Sequence, residues 1–361
     1  MLEAVMLVGG KGTRLRPLTQ TYPKPMLPVA GVPVTQHQIA RAREAGVGRI
    51  VLGTSYQAEV FSDYFSDGSE FGVDLRYVVE DEPLGTGGAI RNVAVALDSG
   101  PDDPVIIFNG DVLTGVDLVA LVQAWRDAEA DVAIYLTRVS DPRAFGLVPT
   151  DADGRVVAFL EKPQTPEEIV TDQINAGCYV FRRSVIDEIP PGRVVSVERE
   201  TFPALLGRGA KVIGVVDDGY WLDLGTPLAF VQGSRDLVTG VAPSPEIPVG
   251  GLESLVLSGA AIADDAVVGE GSTVVRGARV GARAQVSGSV LFDDCMLGED
   301  VVVQDSVIGR SAVIGPRTVL RGVVVGDRAA IGADNELLNG ARVFPDVSIP
   351  AAGVRFSSDR S

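Results

Sequence analysis

Short apolar runs alternate with stretches of helical period through the first two thirds of the chain. Ala4–Val8, Ile50–Gly53, Leu75–Val79, Val105–Asn109, Val132–Leu136, Val156–Leu160 and Tyr179–Phe181 read as buried strands. Between them, Thr35–Ala45, Ala89–Leu97, Leu118–Ala128 and Phe202–Leu206 carry apolar residues at helical spacing. This alternation predicts an α/β domain with a mostly parallel sheet. Such sheets take ligands beyond the carboxyl ends of their strands, and the loop after Ala4–Val8 lies at one such end. A last helix, Pro227–Val238, runs into "TGVAPSPEIPVGG", whose three prolines and three glycines mark a linker.

Beyond the linker the period changes. Ile262, Val268, Val274, Val280 and Val286 recur every six residues. The phase then slips by a rule: Val280, Leu297, Ile314 and Ile331 are 17 apart, as are Val286, Val303, Leu320 and Leu337, and Leu291, Ile308 and Val325. Seventeen divides as 6 + 6 + 5, three flat faces per coil with one shortened corner. Hexapeptide periodicity of this kind predicts a parallel β-helix whose core is a column of stacked aliphatic rows. The chain therefore divides into a domain over 1–240, a linker over 241–251, a β-helix over 252–350 and a tail over 351–361. An open coil end exposes unpaired strands, so the tail "RFSSDRS" or a second copy of the chain is expected to cap it. A homo-oligomer is the expected assembly.

Composition narrows the chemistry. The formal charge is −17, which disfavours nucleic acid as a partner. No apolar run approaches the ~20 residues of a membrane helix, and "MLEAVMLVGG" has no basic leader, so a cytoplasmic protein is expected. Cys178 and Cys295 stand far apart without metal-type spacing and read as structural thiols. His37 is the one histidine, read as a packed helix residue, and its isolation disfavours a His-based triad. Only four of 31 basic residues are lysine: Lys11, Lys24, Lys162 and Lys211. Where arginine serves almost everywhere, a retained lysine points to a site that needs a compact ammonium on a thin stem.

Against that acidic background, "VGGKGTRLRPLTQTYPKP" concentrates Lys11, Arg14, Arg16 and Lys24 on a glycine loop directly after the first strand. It is neither a P-loop, which needs G-x-x-x-x-G-K-[ST], nor G-x-G-x-x-G, because Leu15 stands at the third glycine. Glycines let backbone N–H groups approach an anion, and the cations supply counter-charge. Pro23 and Pro25 are expected to hold Lys24 in an extended segment. Phosphate is the predicted ligand.

"GGKGTRLRPLT" followed by "PKPMLPV" resembles the signature of the sugar-1-phosphate nucleotidyltransferases, the nucleotide-sugar pyrophosphorylases. "PLGTGGAI", "FNGDVL", "FGLV", "FLEKP", "NAGCYVF" and "WLDLGTP" follow in family order. The resemblance covers the whole chain, since relatives often append a left-handed β-helix of hexapeptide coils. Within the family it is closest to the mannose-1-phosphate guanylyltransferases. It implies a Rossmann-like domain joining GTP and mannose 1-phosphate with release of pyrophosphate, assisted by Mg²⁺.

By resemblance, Val8, Gly9, Gly10, Gly12 and Thr13 cradle the nucleotide, and Arg14 and Lys24 neutralise charge at its phosphates. Asp111 and Asp223 are the implied metal ligands, with Asp111 also on the nucleotide side. Gly85, Thr86 and Gly88 pass close to the base. Gly146, Glu161, Lys162, Asn175 and Trp221 form the sugar-phosphate side, with Glu198 a possible addition beside a Ser196 helix cap. Guanine offers two adjacent donors, which suit a carboxylate; in "YVVEDEPLG" that carboxylate is Glu80 or Glu82. Other bases and sugars remain alternatives. So does a non-catalytic regulatory subunit, although such a chain is expected to have lost cations or carboxylates that this one keeps. Acyl transfer on the β-helix is disfavoured, because that domain has no histidine.

Overall fold

The computed structural model describes residues 1–355 except Tyr56, Pro248 and Val249. By compactness the chain divides into two units: Met1–Gly10 with Gln38–Trp221, and Lys11–His37 with Leu222–Ser361. The division differs from one drawn along the chain, because the cationic loop groups with the β-helix.

The first unit is built on one mixed sheet. Its strands are β1 (Leu2–Leu7), β2 (Val47–Thr54), β3 (Asp74–Val79), β4 (Pro104–Asn109), β5 (Val132–Arg138), β6 (Gly146–Leu147), β7 (Leu160–Glu161), β8 (Gln173–Arg182) and β9 (Val212–Val216). The order is β7-β6-β8-β4-β1-β2-β3, with β5 on β8 and β9 on β5. The pairs β1–β2, β1–β4, β2–β3 and β5–β9 are parallel and account for most of the paired residues. β8 runs antiparallel to both β4 and β5. Val5, Val51, Ile107, Ile134 and Phe181 from the sheet are buried with Ile90, Val93 and Phe202 from helices α3 (Gly85–Val93) and α6 (Phe202–Gly207).

Pattern and structure part in a few places. Val156–Leu160 is not a strand: Val156 donates to Val212 O, Val157 donates to Pro149 O, and only Leu160–Glu161 pairs with β6. Val157 is exposed, so the apolar run lies across the sheet margin. β8 starts well before Tyr179, because a bulge between Asn175 and Tyr179 breaks the alternation that marks a strand. The short helix Ala58–Phe65 and strand β9 have too few periodic positions to stand out in sequence.

The second unit holds the β-helix. Three parallel sheets carry its faces, two of six strands and one of five. Val280, Leu297, Ile314 and Ile331 align in register on one face, Val286, Val303, Leu320 and Leu337 on another, and Leu291, Ile308 and Val325 on the third. These residues form one buried column. The shortened corner is held by serines. Ser289 N donates to Ser272 Oγ, Ser306 N to Ser289 Oγ, and Val323 N to Ser306 Oγ, at 2.9–3.1 Å. Each hydroxyl also donates to a nearby carbonyl, so a corner too tight for regular pairing leaves those N–H groups satisfied. At the far end Val354 N donates to Asn335 Oδ1, and Glu336 N donates to Val354 O. The expected capping tail lies outside the described residues from Phe356 onward. Helix α7 (Pro227–Thr239) packs on the first coils, capped by Thr226, whose hydroxyl accepts from Ala229 N.

Cys178 and Cys295 are buried and unpaired, as structural thiols. Burial pushes both thiols up, that of Cys295 to about 12. Among the described residues no helix is long and apolar enough to cross a membrane.

Candidate active site

Two groups of predicted residues are assembled in the first unit. The first lies where parallel strands end. Val8 N donates to Gly53 O, and Ser55 Oγ donates to Gly9 O at 2.6 Å, fixing the exit of β1. Gly110 N donates to Leu7 O, which draws the "NGD" turn carrying Asp111 against the same exit. Gln38 Nε2 donates to Asn109 O and Val112 O on either side of that turn. Gly10 faces open space.

Glu80 and Glu82 separate clearly. Glu82 is exposed. Glu80 is half-buried, its Oε2 accepts from Leu84 N at 3.4 Å, and its Oε1 is buried without a hydrogen-bond partner among the described residues. Burial holds the Glu80 carboxyl above the usual carboxylate range. A desolvated carboxylate oxygen with no donor is a site for a ligand that brings one.

α3 starts at Gly85, whose φ is +70°. A Cβ at Gly85 would lie 2.6 Å from Val195 O, and one at Gly88 2.5 Å from Arg193 O. Glycine is required here by the 193–195 backbone packing onto the helix start. Thr86 is likewise engaged: its hydroxyl donates to Glu198 Oε2 at 2.7 Å and accepts from Val197 N. Ser196 Oγ donates to Glu198 and accepts from Arg199 N, confirming the expected cap. The motif "PLGTGGAI" thus carries a structural load that sequence reasoning missed.

The second group comprises the residues expected on the sugar-phosphate side. β6 and β7 pair Gly146 with Glu161, so the "FGLV" and "FLEKP" motifs form one ribbon. Lys162 follows with φ +53°, a left-handed backbone rare for a side chain of this size, and its Nζ lies 3.4 Å from Glu161 Oε1. Lys162 is over half exposed, so its ammonium is solvent-facing and reorientable. Asn175 sits in the β8 bulge, donating to Tyr179 Oη and accepting from Gly177 N. Trp221 Nε1 donates to Ala176 O in the same bulge, and its ring meets Phe145 edge-on at 5.3 Å. Phe145, which the reading of "FGLV" passed over, is thereby packed on a candidate site residue.

In the second unit the cationic loop is a series of three tight turns, Thr13–Leu15, Leu18–Gln20 and Lys24–Met26. Lys24 is therefore at the start of a turn rather than in an extended segment; only Pro23 before it is extended. Gly12 adopts φ +57°, and a Cβ there would lie 2.8 Å from the Lys24 Cβ. Thr19 Oγ1 donates to Gly12 O and closes the loop. The result is a buried lysine under a glycine turn. Lys24 Nζ reaches Asp223 Oδ1 at 3.4 Å and Arg14 Nη2 reaches Asp223 Oδ2 at 3.6 Å. The sequence shows no cation beside Asp223; folding supplies two. Thr13 and Arg14 are exposed on the first turn.

His37 is buried, with Nδ1 2.6 Å from Ser244 Oγ and Nε2 3.1 Å from Val29 O, a packed residue as expected. Among the described residues no group of three or more His, Cys, Asp or Glu side chains is placed to hold a metal.

Comparisons with known proteins identify the family of the chain. The nucleotidyl transferase family model matches residues 3–240, and the GMPPB C-terminal domain model matches 252–354. The chain is 54% identical to the mannose-1-phosphate guanylyltransferase of Mycobacterium tuberculosis over 99% of its own length and 98% of that protein. It is 33% identical to a probable mannose-1-phosphate guanylyltransferase 1 of Oryza sativa subsp. japonica over 80% of its length and 86% of that protein. Among solved structures, HddC from Yersinia pseudotuberculosis superposes with a TM-score of 0.56 at 28% identity, covering 65% of this chain and 99% of that one. A putative glucose-1-phosphate thymidylyltransferase from Bacillus anthracis shares the fold, with TM-score 0.58 at 24% identity over 65% and 94% of the two chains. This chain belongs to the nucleotidyl transferase family, with a GMPPB-type β-helix domain as its C-terminal part.

Proposed function

We propose that this protein is an enzyme that transfers a guanylyl group from GTP to α-D-mannose 1-phosphate, forming GDP-mannose and pyrophosphate, with residues 1–240 supplying the chemistry. The observation that carries the reading is the 54% identity to the Mycobacterium tuberculosis enzyme across nearly the whole of both chains. Two further points support the base. Yersinia HddC has been solved with GMP-PN. The orphan oxygen of Glu80 suits the N1–H and N2 donors of guanine, so Glu80 rather than Glu82 is the proposed base reader.

In this reading a phosphate oxygen of mannose 1-phosphate attacks the α-phosphorus of GTP in line. The new P–O bond forms as the bond to the β-phosphate oxygen breaks, and pyrophosphate leaves with the electron pair. The second pKa of a phosphate monoester is ~6, so the nucleophile is already ionised and no general base is required. The protein's task is positioning and charge neutralisation. Gly10, Gly12 and Thr13 offer backbone to the phosphates, and Arg14 and Lys24 take the charge that develops on them. Glu161 and Asn175 hold sugar hydroxyls, Lys162 grips the sugar's phosphate, and Trp221 with Phe145 walls that side.

The family is metal-assisted, and we assign Mg²⁺. Asp111 and Asp223 are hard oxygen donors. Phosphate oxygens of the substrates would complete the shell, the arrangement Mg²⁺ favours. When bound, the ion shields phosphate charge. Approach of phosphates and metal would draw Arg14 and Lys24 off Asp223 and free its carboxylate.

Pyrophosphate release with each pairing of GTP, UTP, dTTP or ATP with mannose or glucose 1-phosphate tests the reading. GTP with mannose 1-phosphate is expected to be fastest. If UTP with glucose 1-phosphate equals it, the guanylyl assignment fails. Asp111→Asn is expected to abolish turnover, and full activity would remove Asp111 as a metal ligand. The enzyme is further proposed to act as a cytoplasmic homo-oligomer, which light scattering and fractionation test.

A further inference from the structure

One face of the β-helix carries a group that the proposed chemistry does not use. Along one row, Val290, Val307, Val324 and Arg342 occupy equivalent positions on successive coils. The three valines are buried, whereas the fourth position is an exposed arginine. Among the described residues Arg342 forms no ion pair. Its Nη1 instead donates to Arg14 O at 3.0 Å and to Arg16 O at 2.7 Å. Both acceptors are backbone carbonyls of the cationic loop, one within the Thr13–Leu15 turn that presents Arg14 and one at the residue that follows it.

A second anchor lies on the neighbouring coils. Thr21 Oγ1 donates to Asp327 Oδ2 at 2.7 Å. Asp327 is buried, and its Oδ1 accepts from Arg310 N at 2.8 Å. The Arg310 guanidinium stacks over the Tyr22 ring at 3.8 Å and lies 5.1 Å from the Phe292 ring. Arg310 and Asp327 are one coil apart, 17 residues, so the regular spacing of the β-helix sets the spacing of the clamp. Loop residues 14, 16, 21 and 22 are thus held from the β-helix at two points, and Lys24 follows directly. Compactness groups Lys11–His37 with Leu222–Ser361 for the same reason.

We propose that the β-helix positions the cationic loop of the active site, with Arg342 as the principal positioning residue and the Asp327–Arg310 pair as the second anchor. The C-terminal domain is then part of the catalytic apparatus, independently of any role in assembly. A charged guanidinium donating to two carbonyls fixes the middle and the exit of the Arg14 turn, which a loop rich in glycine cannot do for itself. The functional consequence rests on the guanylyl-transfer reading; the physical clamp does not.

The test uses the full-length protein and three variants: Arg342→Ala, Arg342→Lys and Arg328→Ala. Arg328 makes an exposed pair with Asp346 elsewhere on the β-helix and controls for loss of a surface arginine. Arg342→Ala is expected to lower kcat for GTP by at least about tenfold, with KM for mannose 1-phosphate within about twofold of wild type. Amides of residues 13–24 should exchange hydrogen faster in the ligand-free variant, and the melting temperature should match that of Arg328→Ala. Arg342→Lys, which keeps a donor but not the fork, should recover part of the rate, and guanidinium ion should partly rescue Arg342→Ala. Unchanged exchange in the loop overturns the clamp. Faster exchange with kcat within about twofold overturns the positioning role. A loss that Arg328→Ala shares, or that follows a lowered melting temperature, makes Arg342 merely structural and also overturns it. If the wild-type protein itself turns over no sugar phosphate while the exchange difference persists, the reaction assignment fails and the clamp stands.

Discussion

Replacing Lys24 by Met keeps the length of the stem and removes the ammonium. Lys24 is 7% exposed and its Nζ lies 3.4 Å from Asp223. At an effective dielectric of 20 the gross attraction at that distance is about 5 kcal/mol, most of which the desolvation of both groups offsets. Asp223 keeps Arg14 at 3.6 Å and is 24% exposed, so it does not become an isolated buried charge. The net loss of stability is therefore expected to be about 1–2 kcal/mol, a fall of roughly 1–3 °C in Tm for a protein of this size. The catalytic loss should be larger. A buried ammonium aimed at developing phosphate charge is worth about 10²–10³ in kcat, or roughly 3–4 kcal/mol. Arginine should not restore it, because Lys24 is buried and a planar guanidinium does not take the place of a compact ammonium on a thin stem. The assay is pyrophosphate release at saturating substrates, with thermal melting alongside. A Lys24→Met variant that melts lower but keeps kcat within about fivefold would refute the reasoning and leave Lys24 as the structural partner of Asp223.

Other substitutions probe separate parts of the molecule. Gly146→Ala puts a Cβ 2.8 Å from Glu161 Oε2 and 2.9 Å from the Phe159 ring; KM for mannose 1-phosphate should rise about tenfold while KM for GTP stays nearly constant, and equal changes in both would refute a sugar-side role. Glu80→Gln should raise KM for GTP and also stabilise the ligand-free protein at neutral pH. Burial raises the Glu80 pKa, so its ionised form costs the folded state above that pKa. The cost disappears below the unfolded value of about 4.3, and the Tm difference measured across pH should close there; a difference independent of pH would refute this. Ser306→Ala removes the acceptor of Val323 N and the donor to Gln304 O in a fully buried corner; it should cost about 1–3 kcal/mol in denaturant unfolding, and no loss would show that the serine ladder carries no load.

Much of this was visible in the pattern of residues. The stacked rows of the β-helix were legible because each coil repeats the same constraint: an inward position must be aliphatic in every turn, so the period and its 6 + 6 + 5 division are written several times over. Strands β1, β2 and β4 were legible because both faces are buried and the apolar run is continuous. The bulge at Asn175–Gly177 was not, since it interrupts alternation with polar and glycine residues, and Val156–Leu160 misled because an apolar run need not pair along its length. The candidate site was legible as motifs but not as contacts. Nothing local in "YWLDLG" announces that Asp223 meets Lys24 and Arg14, and nothing in "PLGTGGAI" announces that its glycines admit the backbone of residues 193–195.

The residue types carry the chemistry open to this protein: cations and glycines for phosphates, and hard carboxylates for a divalent ion. Those properties belong to side chains and survive in a linear reading. Their selection belongs to the fold. Glu80 is distinguished from Glu82 only by burial, because two glutamates two residues apart are chemically alike until one loses its water. Arg342 acquires a role only because coil spacing brings it to the carbonyls of residues 14 and 16, more than 300 positions earlier. Contacts of that range depend on where three-dimensional packing puts the backbone, and no local pattern in the chain encodes them.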